Sequence, residues 1–195
     1  MSSWTPSALL KILRKVLAMQ TTSERLREPF RVTGEVVHGF GRGSKQLGIP
    51  TANIDPNVVQ TIDNQLKSGI YYGFCQLVST PEPVINGETH AANGVDSTPR
   101  PLSPIYGMVC SLGWNPQFNN TIRSLEVHIL SKFSDDFYGS TLRVAICGYI
   151  RAEQKFESLD QLIECIHNDI KVTEQALEDR SQWSRVLNGE FFGNQ

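Results

Sequence analysis

The residues best suited to chemistry crowd into one stretch, residues 39–53, which reads Gly-Phe-Gly-Arg-Gly-Ser-Lys-Gln-Leu-Gly-Ile-Pro-Thr-Ala-Asn. Glycines at 39, 41, 43 and 48 leave backbone amides able to turn toward an anion. Arg42 and Lys45 bring the positive charge that phosphates take. Thr51 and Asn53 add a hydroxyl and a carboxamide oxygen, hard donors of the kind Mg²⁺ accepts beside phosphate oxygens and water. By type and spacing this is a phosphate loop running into a metal-binding edge. It is not a standard one. Gly39 and Gly43 stand one residue too close for a P-loop, and Ser44 replaces the third glycine of the dinucleotide fingerprint. A plain glycine-rich hairpin loop is the competing reading of the glycines and the lysine alone.

A second candidate is Glu126. It lies between Leu125 and Val127 in the clearest alternating stretch of the chain, where Leu125, Val127 and Ile129 share one face and Ser124, Glu126 and His128 the other. A carboxylate on a rigid strand facing a cleft is placed to take a proton from a hydroxyl. The competing reading is a solvated residue on an outer face. For His128 the ordinary reading is a satisfied residue at the surface or behind a site. Asp135 and Asp136 read as turn residues.

These residues need strands to hold them. Stretches at 30–38, 70–78, 106–114, 123–130 and 142–150 are β-rich. Ser158 with Gln161 forms a capping box and opens a helix to about Leu177, with an apolar face of Leu159, Leu162, Ile163, Ile166 and Ile170. Asp55-Pro56-Asn57 reads as a turn. Five or six strands and one amphipathic helix, without βαβ alternation, argue for a small antiparallel barrel with a helix packed on it. The interval 79–105 holds five of the ten prolines and no hydrophobic period, which predicts a surface insertion between paired strands. The tail from Arg180 is weakly patterned, with Phe191-Phe192 able to dock.

The chain has 195 residues, 39% hydrophobic and 19% charged, with a net charge of −2. That length suits one domain with a full core, and the charge gives no bulk reason to bind nucleic acid. No apolar run reaches the length of a membrane span. The four cysteines, 75, 110, 147 and 165, are isolated in apolar settings and predict buried free thiols in a reducing compartment. Residues 1–28 are basic and amphipathic, with no acid before Glu24. A mitochondrial transit peptide is one reading of them, and a docked or mobile N-terminal helix is the other.

The whole 39–53 string resembles the signature of the riboflavin kinase (flavokinase) family, in its monofunctional eukaryotic type. The resemblance extends over about residues 30–177. It includes Gly69-Ile70-Tyr71-Tyr72-Gly73, Gly113-Trp114-Asn115-Pro116, Glu126-Val127-His128-Ile129, Asp136-Phe137-Tyr138-Gly139 and Gly148-Tyr149-Ile150-Arg151. The fold it implies is mainly β, a six-stranded antiparallel barrel with a C-terminal helix packed on it. The activity it implies is ATP-dependent phosphorylation of the ribityl 5′-hydroxyl of riboflavin, giving FMN and ADP. Gly39, Gly41, Arg42, Gly43 and Lys45 would form a flap over the nucleotide phosphates, with Thr51 and Asn53 holding nucleotide and metal. The metal expected is Mg²⁺, with Zn²⁺ or another divalent ion as the alternative. Glu126 would be the catalytic base, and Arg151, Gln154 and Phe156 would hold the flavin.

The domain division that follows is an N-terminal extension (1–28), a barrel domain (29–180) with the insertion at 79–105, and a C-terminal tail (181–195). The protein is expected to be a cytoplasmic monomer, with mitochondrial targeting as the alternative. Riboflavin and ATP are its expected partners, without nucleic acid or an integral membrane span. Two departures stand out. The insertion replaces what is a much shorter hairpin in compact relatives, and Ser131 stands where some relatives have another histidine. Bifunctional bacterial relatives carry an additional adenylyltransferase domain, which twenty-eight residues cannot encode, so no FAD synthesis is expected. The alternative function is a non-catalytic flavin- or nucleotide-binding barrel. An oligonucleotide-binding barrel would need a basic groove with stacking aromatics, which this sequence lacks.

Overall fold

The computed structural model describes residues 23–39, 47–62, 64–79, 103–114 and 123–193. Six strands close into an antiparallel barrel: β1 (Glu24–Val37), β2 (Ala52–Ile54), β3 (Gly69–Ser79), β4 (Tyr106–Gly113), β5 (Ser124–Ile129) and β6 (Thr141–Arg151). Their order around the barrel is β1-β2-β5-β4-β3-β6, and every neighbouring pair is antiparallel. Closure removes the exposed edges that an open sheet of this size would have to protect. The six-stranded barrel and its C-terminal helix are as the sequence predicts.

Alternation along the strands sorts the apolar residues into two clusters. Val32, Val36, Ile54, Met108, Leu112, Leu125, Val127, Ile129, Leu142, Val144 and Ile146 belong to the cluster that fills the barrel. Tyr72, Phe74, Val109, Ala145, Cys147 and Ile150 belong to a second cluster on the outside of β3, β4 and β6. That outer cluster is completed from the C-terminus by Leu177, Trp183, Val186 and Phe192.

Four local features differ from the sequence expectation. β1 begins at Glu24 rather than near Phe30, and its register against β6 shifts between Arg25 and Phe30. Pro29 lies in that interval, where a residue with no N–H to give the ladder is tolerated. β2 was not expected as a strand. It is three residues long and exists because it is paired on both sides, to β1 and to β5. The 55–57 turn is the start of a short helix, α1 (Pro56–Thr61), capped by the Asp55 side chain accepting from the Asn57 amide at 2.8 Å. Pro56 is at the first helical position, where its missing N–H costs nothing.

The fourth difference is the tail. α2 (Leu159–Leu177) is followed by a 3₁₀ turn (Arg180–Trp183) and α3 (Ser184–Leu187). Trp183 and Phe192 are buried there, and Arg25 lies over the Trp183 ring at 4.0 Å. Cys75, Cys110 and Cys147 are buried free thiols, as expected, whereas Cys165 is only half-buried. Burial pushes the Cys75 and Cys110 thiols well up and that of Cys147 up to about 12. They stay protonated and unreactive at neutral pH.

The expected extension at 1–22 and most of the expected insertion, 80–102, lie outside the described residues. Where the chain returns, Ser103 fastens it to β3. The Leu77 amide donates to Ser103 Oγ at 2.9 Å, and Gln76 Nε2 donates to the Ser103 carbonyl at 3.0 Å. Among the described residues no helix is long and apolar enough to cross a membrane.

Candidate active site

One register row crosses five of the six strands on the outside of the barrel. Asn53 on β2 stands opposite Glu126 on β5, and Glu126 opposite Ser111 on β4. Ser111 stands opposite Ile70 on β3, and Ile70 opposite Arg151 on β6. Residues directly opposite on neighbouring strands share a face, so closure carries these side chains into one line. Leu125, Val127 and Ile129 are buried toward the interior while Glu126 and His128 between them are only partly covered. The outward face predicted for Glu126 is therefore correct. It is roofed rather than solvated.

The roof is α2 together with the segment that leads to it from β6. Between roof and row lies a cleft of about 280 Å³. Ile70, Val109, Leu162, Ile166 and Ile170 give it an apolar side, and Thr51, Ser111, Glu126, His128, Glu153 and Gln154 a polar one. An apolar wall facing placed polar groups is typical of a small-molecule site. The helix is set by Ser158, whose Oγ accepts from the Gln161 amide at 3.3 Å. In return, the Glu157 amide donates to Gln161 Oε1 at 3.2 Å, one residue outside the box predicted from sequence. Leu159, expected on the apolar face, is exposed instead.

Arg151 ties the end of β6 to this roof. Its Nε donates to Asp169 Oδ1 at 2.9 Å and its Nη2 to Asp169 Oδ2 at 2.6 Å, a bidentate pair. A third bond runs from Nη1 to the Ala152 carbonyl at 3.0 Å. Asp169 is almost fully buried, and burial pushes its carboxyl up by more than the Arg151 bonds lower it. Phe156 lies below the guanidinium, 6.0 Å from ring centre to Cζ. Gln154 Nε2 donates to Cys165 Sγ on the helix at 2.9 Å. Burial pushes the carboxyl of Glu153 up, Arg123 and Arg151 pull it down, and Glu126 pushes it further up. That carboxylate rests on Gly113 so closely that a Cβ there would stand 1.8 Å from its Oε1.

On the opposite wall, Ser124 Oγ lies 3.4 Å from Glu126 Oε1, a long donation. His128 Nδ1 is 2.8 Å from the Pro50 carbonyl oxygen. Gly39 lies against the Asn53 side chain, and a Cβ at position 39 would come within 2.3 Å of Asn53 Nδ2. The glycine is needed for that close approach. Thr51 lines the cleft, while Asn53 stands beside it in register with Glu126. Both offer oxygen donors next to a carboxylate, a set that fits a hard divalent cation.

The structure thus brings Glu126, Thr51, Arg151, Gln154 and Phe156 to one cleft, with Asn53 and Gly39 at its edge. Gly41, Arg42, Gly43 and Lys45 lie outside the described residues. Sequence reasoning missed Asp169, Glu153 and Ser111. The signal for Asp169 was an acid three residues after Ile166, on the apolar stripe of the helix. Nothing local marks Glu153 or Ser111.

Comparison with known proteins agrees with this geometry. The family model described as riboflavin kinase matches residues 26–177. The riboflavin kinase of Yarrowia lipolytica is 38% identical over 186 residues, covering 91% of this chain and 94% of the relative. That of Homo sapiens is 43% identical over 150 residues, covering 77% of this chain and 82% of the relative. Among solved structures, riboflavin kinase from Trypanosoma brucei superposes with a TM-score of 0.58 at 26% identity, covering 81% of this chain and 85% of that one. With a barrel of the same kind and a match across the strands that build the cleft, the chain belongs to the riboflavin kinase family.

Proposed function

We propose that the cleft transfers the γ-phosphoryl group of ATP to the ribityl 5′-hydroxyl of riboflavin, releasing FMN and ADP. The observation that carries this reading is the row Asn53–Glu126–Ser111–Ile70–Arg151, under one helical roof from Glu126 to Arg151 with Asn53 at its edge. It sets a carboxylate between a polar edge suited to phosphate and an apolar wall suited to an aromatic ring system. Phosphoryl transfer asks a protein mainly for positioning and charge neutralisation, and the two ends of the row divide that work.

Glu126 accepts the proton of the 5′-hydroxyl as the oxygen attacks. A positioned base of this kind is worth roughly 10²–10⁴-fold in rate. Thr51 and Asn53 hold the divalent ion, for which their oxygens suit Mg²⁺ better than a softer metal. When bound, that ion neutralises charge on the phosphates. Gly39, Gly41, Arg42, Gly43 and Lys45 serve the nucleotide phosphates. Arg151, Gln154 and Phe156 hold the flavin against the apolar face of α2, with Arg151 kept in place by Asp169. A cytoplasmic monomer is part of the same reading. So is the division into an extension, a barrel and a tail, with the first strand of the barrel reaching back to Glu24.

Incubating the purified chain with riboflavin, ATP and Mg²⁺ and separating flavins by chromatography tests the reading. FMN should form in amounts equal to the ADP released. Absence of FMN with riboflavin still bound would make this a binding barrel rather than an enzyme.

A further inference from the structure

β2 is a short strand for the work assigned to it. It pairs with β5 at only Ala52↔Val127 and Asn53↔Glu126, and with β1 at Val36↔Ile54 and Val37↔Asn53. The strand therefore begins at Ala52, the residue after Thr51. Further back, Pro50 has no N–H with which to extend it, and Gly48 turns the chain away with φ +73°. Thr51 lines the cleft directly before the first residue of β2.

His128 reaches this entry to β2. It is on β5 two residues beyond Glu126, opposite Val109 on β4, and on the same face as both. Its Nδ1 reaches the Pro50 carbonyl oxygen at 2.8 Å across 78 residues of sequence. A carbonyl oxygen only accepts, so the proton of this bond is on Nδ1, and in the neutral ring Nε2 carries none. The side chain adds a bond between β5 and the entry to β2, beyond the Ala52↔Val127 pair. Because the peptide unit is planar, holding the Pro50 carbonyl also orients the amide of Thr51 and the start of β2.

We propose that His128 is a positioning residue for the reaction, clamping the Pro50–Thr51 peptide so that Thr51 is held beside Glu126. The inference rests on the reading of Thr51 and Asn53 as the metal and phosphate edge. It assigns His128 to the nucleotide side of the site and not to the flavin side.

The test uses three substitutions at one position, alongside Thr51→Val, in the full chain. The amide nitrogen of asparagine falls near the place of Nδ1, whereas that of glutamine falls near Nε2. His128→Asn should keep most of the activity, because the donor to Pro50 survives. His128→Gln and His128→Ala should both lose roughly 10- to 100-fold in kcat/KM for MgATP, as expected when a reacting group is misplaced by about an ångström. The KM for riboflavin and the melting temperature should stay near wild type in all three. Thr51→Val should abolish turnover. Glutamine performing as well as asparagine, or a loss shared equally by riboflavin and MgATP, would overturn the clamp. If Thr51→Val loses turnover while His128→Gln and His128→Ala match wild type, the clamp fails and the edge reading stands. If Thr51→Val itself runs near wild type, both fail.

Discussion

The outside of this barrel is covered twice, and the two covers differ. Over β3, β4 and β6 the tail after α2 lays Trp183, Val186 and Phe192 onto Tyr72, Phe74 and Cys147. Phe74 and Phe192 are fully buried there, and Trp183 meets the rings of Tyr72 and Phe74 edge-on at 6.2 and 5.9 Å. Over β2, β5 and the near side of β4, the first half of α2 stands off and leaves a cleft. The strands obey the same alternation on both sides. What differs is the outward residue: aromatic and aliphatic under the tail, and Glu126, His128 and Ser111 under the helix, with Asn53 at the edge. One cover closes a second core, and the other holds a cleft open over polar groups. Stability should therefore be concentrated under the tail and chemistry under the helix.

Substitutions can break that division, at costs to stability that fall from the tail to the edge of the cleft. Phe192→Ala should have the largest effect, about 3–5 kcal/mol, the usual range for emptying a buried aromatic site. Chemical denaturation measures it, and the fraction that remains folded should still make FMN at close to the normal rate. A variant that unfolds normally but has lost turnover would place the tail in the catalytic machinery. Asp169→Asn comes next. It leaves Arg151 without its buried counter-charge, at about 2 kcal/mol, less than for a fully buried pair because Arg151 is partly exposed. Riboflavin affinity, followed by flavin fluorescence, should fall with it, because Arg151 no longer has a fixed position. An unchanged affinity would remove Arg151 from the flavin side.

Gly39→Ala should cost the fold little, since the residue is exposed at the end of β1. The new methyl group would, however, press on the Asn53 carboxamide. The expected result is a rise in KM for MgATP of about tenfold, equivalent to about 1.4 kcal/mol, with riboflavin binding unchanged. Equal losses for both substrates would mean that Gly39 acts on the whole cleft instead of on its nucleotide edge.

How much of this could be read from the sequence differs along the chain. Six residues of clean alternation put Leu125, Val127 and Ile129 inside and Glu126 and His128 outside, and the structure agrees. β2 was illegible because three residues cannot display a period, and the strand is dictated by its two partners. The N-cap at Asp55 and the proline after it were both present as helix signals, yet six residues following a turn motif read more simply as a turn. In the tail, Trp183 and Val186 are buried by contacts with β3 and β6 that no local pattern encodes, whereas Phe192 docks as its aromatic pair suggests. The cleft was legible where residues fall in compact motifs, as with Thr51 and Glu126 in its lining and Asn53 beside them. It was not legible where two distant residues meet, as with Arg151 and Asp169, or His128 and Pro50.

The central claim is that Glu126, on the outward face of β5, is the base of the reaction. Glu126→Gln keeps the size of the side chain and an oxygen to accept a hydrogen bond, but it cannot take up the proton. Measured on one preparation, its melting temperature and its affinities for riboflavin and MgATP should match wild type, while kcat falls by roughly 10²–10⁴. A variant that keeps more than about a tenth of the wild-type kcat, well above what loss of a general base allows, would contradict the account.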